Sequence, residues 1–380
     1  MTATAINEAP SGETSLSRVD WVDYAKGICI VLVVMMHSTL GVEKAIGTAG
    51  YLGAFIEWAR PFRMPDFFLI SGLFLSRRMQ VPWREYLDKK VLHFVYFYVL
   101  WMTIQFAFKG YGIAKAEGPL GLLTAYALGF VQPFGTLWFI YLLAIFFVVT
   151  RLLVRVPPLL VFAVAALLEM APIESGSLII DEFAARYVYF FAGSWLASHI
   201  FASTSIMQTR NLLSLMAMLY IWATGHSLAM ATGAASMPGM GLVLGFAGAG
   251  AVITAAIVMV RTAALPWLRY FGANSIVIYL AFFLPMAAIR TLGLKIHPAI
   301  NPDILSALTT AGAIAGALGL FWLLRHSPLR LLFVRPAWAS LAGWDWPRMK
   351  TVSSKTVETP AGHWHSVGHD NKFQQRPEAR

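Results

Sequence analysis

Long apolar segments recur along almost the whole sequence. Segments of roughly 18 to 25 residues are long enough to cross about 30 Å of hydrocarbon as helices. They lie near residues 22–41, 51–76, 91–108, 134–154, 156–172, 182–202, 211–230, 239–261, 267–289 and 304–324. Because a chain in a bilayer must satisfy its own backbone hydrogen bonds, such segments fold as helices. The sequence therefore predicts an all-α integral membrane protein with about ten transmembrane helices.

The composition agrees with a membrane protein. Hydrophobic residues make up 58% of the chain and charged residues only 13%, whereas a soluble protein carries about 25% charged residues. The single cysteine, Cys29, excludes an intrachain disulfide. Residues 1–17 and 343–380 are polar and are predicted to be disordered tails. The transmembrane domain is predicted over residues 18–335.

Lysine and arginine are unevenly shared between the loops of the two sides. On one side, with the C-terminal tail, are Arg77, Arg78, Arg84, Lys89, Lys90, Arg151, Arg155, Arg210, Arg261, Arg269, Arg325, Arg330 and Arg335. The other side has Lys44, Lys109, Lys115, Arg290 and Lys295. Cytoplasmic loops are the richer ones in lysine and arginine, so both termini are predicted to be cytoplasmic. We separately expect the membrane to be the cell inner membrane. The net charge of +10 follows from this topology and does not indicate nucleic-acid binding.

Two ionisable residues lie within the first predicted span. Lys26 and His37 are eleven residues apart, which places them on one helix face and about 16 Å apart along the axis. Asp23 precedes Lys26 by about one turn and is positioned to pair with it. Snorkelling of Lys26 to the interface, and a hydrogen bond from His37 to a neighbouring helix, are the alternative interpretations. Because ionisable residues inside spans are costly and usually functional, His37 is the first candidate for proton transfer.

The segment around these two residues resembles the first helix of the integral-membrane acyltransferase 3 family. In that family a basic residue, ten intervening residues and a histidine follow one another, and the lysine found here is frequent in the branch that resembles fucose 4-O-acetylases. Three later segments, FRMPDFFLISG, GTLWF and YFGANSIVIYL, resemble further family signatures. Their matching residues are Met64, Pro65, Phe67, Phe68, Ser71, Gly72, Leu137, Trp138, Phe139, Gly272, Ser275, Tyr279 and Leu280. The resemblance runs from about Asp20 to Leu324.

The resemblance implies a reaction and a set of contacts. The family transfers an acyl group, commonly acetyl, from cytoplasmic acyl-CoA to a hydroxyl of a glycan or lipid-linked sugar. His37 is then expected to be the general base, with no bound cofactor and no metal ion. The residues expected to contact donor or acceptor are Asp23, Lys26, Ser71, Lys90, His93, Trp138, Ser275 and Tyr279.

The chain departs from the family pattern at two places. Many members have Arg-x-x-Arg at the start of the third helix, whereas this chain has Lys90 and His93 there. Lysine keeps the positive charge but lacks the bidentate fork of arginine. Members often end the late tyrosine segment in histidine, and here Ala281 and Phe282 follow. Both departures concern the donor contacts more than the reaction class.

The second apolar segment concentrates charges and prolines. They are Glu57, Arg60, Pro61, Arg63, Pro65 and Asp66. Proline interrupts a helix, so we expect a broken or re-entrant helix that lines a polar cavity. There Glu57 or Asp66 would orient the histidine, Arg63 would stabilise an oxyanion, and Arg60 is a further candidate for substrate contact. An internal ion-pair cluster without a catalytic role is the equally open alternative.

A second functional class also stays open from the residues alone. Histidine, lysine and arginine within spans are typical of transporters and flippases as well as of enzymes. No internal repeat is evident, although many transporters are built from inverted halves. Covalent transfer of label from acyl-CoA to a glycan distinguishes an acyltransferase from a transporter.

Overall fold

The computed structural model describes residues 19–75 and 79–341. The tails predicted at 1–17 and 343–380 lie outside these residues. In the described residues the chain forms α-helices, short 3₁₀ and π segments, and no strands. The α-helices are α1 (Asp20–Ile46), α2 (Tyr51–Trp58), α3 (Arg60–Gly72), α4 (Trp83–Tyr86), α5 (His93–Leu128), α6 (Trp138–Leu152), α7 (Pro158–Met170), α8 (Leu178–Trp195), α9 (Ala197–Thr209), α10 (Leu212–Ala231), α11 (Met240–Thr262), α12 (Pro266–Ala273), α13 (Ser275–Ala281), α14 (Phe283–Ile296) and α15 (Pro302–Leu324). The predicted all-α class is confirmed.

Several helices are long and apolar enough to cross a membrane. Six of the described helices meet both criteria, and a seventh span results if α13 and α14 count as one bent helix. The predicted spans at 51–76, 156–172 and 182–202 correspond to helices that are shorter, interrupted or more polar. The structure thus supports a multi-pass protein, and the number ten stays a prediction.

The second predicted span is broken, as the prolines indicate. Helix α2 ends at Trp58 and α3 begins at Arg60, with Ala59 between them. Pro61 occupies the first turn of α3, where its missing N–H is tolerated, and it ends the run of α2. Pro65 lies inside α3. The break therefore follows directly from the local sequence.

A second interruption lies in α5. Gly118 has a φ of 76°, a conformation that glycine adopts without strain, and Pro119 follows it. The long helix is consequently two helices joined at a kink. The part of α5 that follows Gly118 is apolar, but it is too short to span the hydrocarbon by itself.

Helix α1 is packed closely against α12 through two glycines. A Cβ on Gly27 would overlap the carbonyl oxygen of Leu268, and a Cβ on Gly272 would overlap the carbonyl oxygen of Asp23. Small residues at such positions let the backbones of membrane helices approach each other. The contact fixes the position of α12, and thereby of α13, against α1.

Helices α13 and α14 meet at an angle of 54°. Pro285 lies in the first turn of α14, four residues after Ala281. A proline cannot donate to the carbonyl four residues earlier, and its ring clashes with that carbonyl. Pro285 therefore accounts for the bend, which lies at Phe282.

Candidate functional site

A cavity of about 240 Å³ lies among α1, α3, α5, α6 and α13. It is lined by six of the residues predicted to contact substrates, and these come from four separate segments of the chain. The six residues are Lys26, Ser71, Lys90, His93, Ser275 and Tyr279. We call it the donor cavity from here on. The fold thus brings together the residues that the family resemblance singled out.

Aromatic rings form much of the wall of the donor cavity. Phe67 and Phe139, both lining residues, stack with ring centroids 4.6 Å apart. The Nζ atom of Lys90 lies 5.1 Å from the centroid of the Phe147 ring, and that of Lys26 lies 5.8 Å from the Phe74 ring. Ring faces attract ammonium groups at such distances. The cavity therefore combines two cationic groups with an apolar, aromatic wall.

Hydrogen bonds of Tyr279 hold the wall in place. The buried Tyr279 hydroxyl donates to the carbonyl oxygen of Thr136 at 2.5 Å and accepts from the Phe139 N–H at 3.2 Å. The side chain of Gln105 donates to the Thr136 hydroxyl at 3.1 Å. These bonds tie α13 to α5 and to the start of α6. Tyr279 thus has a positioning role in addition to lining the cavity.

His37 lies farther along α1 and does not line the donor cavity. Its half-buried ring packs against Phe282, with centroids 5.5 Å apart, at the bend between α13 and α14. The charged groups that act on the ring electrostatically are Arg63 and Lys109. Lys109 lies at the end of the third apolar segment with its Nζ atom 4.6 Å from the Phe283 ring. The imidazole therefore lies between the donor cavity and the far end of α1, beside two cations.

Lys109 is a candidate that the sequence reasoning missed as a functional residue. It directly follows the predicted span 91–108 and was counted among loop residues. In the structure α5 continues past it, so its side chain remains inside the helix bundle. A charge at the boundary of an apolar segment was the only signal available.

Arg63 is buried and faces inward. Its Nη1 donates to the carbonyl oxygen of Ile56 at 2.7 Å, and its Nε has no hydrogen-bond partner within the described residues. Its charge acts on the His37 ring. The placement agrees with the expectation that Arg63 faces the site.

Glu57 and Arg60 lie outside the donor cavity. They form an ion pair with each other at 2.9 Å, with side chains 59% and 65% exposed. Charges at steps of three drift around a helix, and the break at Ala59 turns this pair outward. Neither residue lines the donor cavity, and no hydrogen bond joins Glu57 to His37 in the described residues. The pair is exposed, so it is not an internal ion-pair cluster, and the roles of Glu57 and Arg60 stay predictions.

Asp66 is fully buried, and within the described residues it makes no hydrogen bond to His37. Neither of its carboxylate oxygens has a hydrogen-bond partner within residues 19–75 and 79–341. Its charge acts on Cys29 and Tyr189, on the other flank of α3. The orienting role of Asp66 therefore stays a prediction.

Two further predicted contacts lie outside the donor cavity. Asp23 lines a separate cavity between α1 and α12, where Arg269 and Asp20 form an ion pair at 2.7 Å. Trp138 begins α6, and its ring lies 6.2 Å from that of Phe68. Trp138 supports the aromatic wall from behind and does not line it.

Comparison with known proteins matches nearly the same part of the chain as the family resemblance. A family model described as an acyltransferase domain matches residues 19–326. The chain belongs to the acyltransferase 3 family. The inner membrane protein YcfT of Escherichia coli (strain K12) is 26% identical over an alignment of 228 residues that covers 54% of this chain and 64% of YcfT. The match thus spans less than two thirds of that relative. No solved structure matches the chain significantly.

Membership in the acyltransferase 3 family gives this chain an acyltransferase domain over residues 19–326. The four signature segments of the family lie on α1, α3, at the start of α6 and on α12 to α13. Residues from each of them line the donor cavity. The narrower assignment to the branch that resembles fucose 4-O-acetylases stays a prediction.

Proposed function

We propose that the protein is an O-acyltransferase of the inner membrane that moves an acyl group, most simply acetyl, from cytoplasmic acyl-CoA to a hydroxyl of a glycan or lipid-linked sugar. The observation that carries the proposal is the donor cavity. It unites six residues from distant segments on one side of α1, and His37 lies farther along the same helix. The name of the inner membrane relative YcfT supports the location.

The donor cavity suits a coenzyme A thioester. Its phosphates carry negative charge, and Lys26 and Lys90 supply ammonium groups on the wall. The pantetheine arm is thin and uncharged, which fits the apolar wall that Phe67 and Phe139 contribute to the cavity. An arm extended along α1 brings the thioester toward His37. The donor cavity and the proposed general base His37 thus lie along the same helix, α1.

His37 is the proposed general base. Its imidazole takes the proton of the acceptor hydroxyl as the oxygen attacks the thioester carbonyl carbon. A tetrahedral oxyanion forms, and Arg63 and Lys109 supply positive charge beside the ring. The carbon–sulfur bond then breaks, and the imidazolium returns the proton to the departing thiolate. The products are the acyl ester and free coenzyme A.

Transfer of label tests the proposal. Membranes that contain the wild-type chain are given radiolabelled acetyl-CoA, and label is measured on the glycan and lipid-linked sugar fractions. His37→Ala should lower transfer by about 10²- to 10⁴-fold, the usual contribution of a general base. The exposed His199 is the matched control, because His199→Ala removes an imidazole on α9. Near-normal transfer by folded His37→Ala would refute the role of the histidine, and glycan translocation without covalent label would favour a transporter.

A further inference from the structure

A second polar cavity lies at the other end of α1. Its volume is about 730 Å³, and it is formed by α1 and α14. Three of its lining residues are cationic: Lys44, Arg290 and Lys295. We call it the basic cavity. No acidic residue lines it.

The positive charge of the basic cavity is not balanced by ion pairs. No hydrogen bond or ion pair joins Lys44, Arg290 or Lys295 to an acceptor within the described residues. The acidic residues nearby in the chain are engaged elsewhere. Glu43 accepts the Gly50 N–H at 2.8 Å, and Asp303 accepts the N–H groups at the start of α2 at 3.1 Å and 2.7 Å. Three like charges therefore face one cavity without a protein anion.

Arg290 is seated closely against α1. A Cβ on Gly41 would overlap Nη1 of its guanidinium group. Gly41 follows His37 by four residues, which is about one helical turn and about 6 Å along the axis. The absence of a side chain at Gly41 thus lets the guanidinium approach the helix that carries the histidine. A ligand group held by Arg290 would lie near His37.

Two ordinary explanations cover only part of this arrangement. Lys44 and Lys295 lie in the last turns of α1 and α14, where cations stabilise the partial negative charge of a helix end. Arg290 is not in a last turn. The lysine and arginine asymmetry places this end on the side that is poor in basic residues. Three of the five basic residues of that side meet here.

We propose that the basic cavity binds an anionic group, phosphate or carboxylate, carried by the acyl acceptor. The inference rests on the proposed function and narrows its acceptor to a negatively charged glycan or lipid-linked sugar. Arginine offers a planar fork that binds two oxygens of such a group, and the lysines add point charges. The anion would hold the acceptor so that a hydroxyl about one turn away reaches His37. Donor and acceptor would thus approach the histidine from opposite ends of α1.

Binding is tested first without reference to activity. The purified full chain is titrated with inorganic pyrophosphate at constant ionic strength, and the rise in its thermal unfolding temperature is followed. The double variant Arg290→Gln and Lys295→Gln should weaken the apparent affinity by about 10-fold or more, since each lost contact to a charged group is worth roughly that. Gly41→Ala should weaken it too, by displacing the guanidinium. The control Lys115→Gln removes one exposed cation of the same side and should bind as the wild type does. Equal affinities in all variants would overturn the proposal.

Transfer then tests the acceptor. Labelled product is separated by anion exchange, and we expect the label on anionic material. Arg290→Gln should raise the apparent KM for that acceptor by about 10-fold and leave the apparent KM for acetyl-CoA unchanged. Label on neutral glycans alone would overturn the inference while upholding acyl transfer. An absence of any transfer by the wild type would instead refute the proposed function.

A phospholipid headgroup offers the same anionic chemistry, and nanodiscs separate this source. The chain is placed in discs of phosphatidylcholine or of phosphatidylglycerol. If pyrophosphate binds equally in both, the cavity is open to an acceptor, as proposed. If phosphatidylglycerol abolishes pyrophosphate binding in both the wild type and the Lys115→Gln control, the cavity is a lipid site and acceptor recognition is refuted.

Discussion

Replacing Gly272 by alanine should separate α12 from α1. A Cβ there would overlap the Asp23 carbonyl oxygen and lie 2.7 Å from the Gly27 nitrogen, about 0.7 Å short of the 3.4 Å at which ordinary contact begins. Both neighbours are backbone atoms, so no side chain can rotate away. The helices must therefore move apart by at least that amount.

Such overpacking typically costs about 1–3 kcal/mol. We expect Gly272→Ala to lower the thermal unfolding temperature of the purified protein. The shift also displaces α13, and with it Ser275 on the wall of the donor cavity, so the apparent KM for acetyl-CoA should rise.

Gly250→Ala is the matched control for this effect. Gly250 lies inside α11, and a Cβ there would meet no atom within 4 Å. Alanine favours a helix over glycine by up to about 1 kcal/mol, so the control should be unchanged or more stable. If Gly272→Ala were as stable as Gly250→Ala, the close approach of α1 and α12 would be refuted.

Three further predictions concern other parts of the chain. Lys26→Ala should raise the apparent KM for acetyl-CoA and Lys26→Arg should retain activity, whereas a snorkelling lysine would change insertion only, with activity per folded molecule unaltered. Burial raises the pKa of Asp88, but hydrogen bonds from the Leu341 N–H, Arg335 and Ser340 outweigh it and hold the pKa below its usual range. The resulting stability is present above about pH 4 and lost as the pH falls further, so the difference in unfolding temperature between wild type and Asp88→Asn should shrink in acid. Reporter fusions after residues 44 and 177 should read outside and those after 84 and 350 inside, and the reverse pattern would contradict the assigned topology.

Local features of the fold could be predicted from the sequence because their causes are local. Apolar length indicated the helices, and Pro61 and Pro65 indicated the break that the structure shows between α2 and α3. The number of spans was harder, because α7 and α8 are apolar in part yet short or charged. Length and hydropathy do not say which helices the surrounding bundle shields from lipid.

The candidate site could be predicted only in part. Family motifs named Lys26, Ser71 and Tyr279, but spacing could not show that they share one cavity, since that depends on how α1, α3 and α13 pack. For the charged second apolar segment, the sequence did not predict which way the side chains face. Because the helix is broken, the sequence does not fix the rotation of α2 relative to α3. The exposure of Glu57 could therefore not be predicted.

The bend at Phe282 also determines how the basic cavity binds. Because Pro285 tilts α14 relative to α13, its far half diverges from α1, and the cavity occupies the gap between them. The proline ring of Pro285 and the helices α1 and α14 thus maintain the gap, and no loop has to fold over the ligand. An arriving anion would cause little loss of chain entropy, and selection among acceptors would rest on fit to a preorganised site.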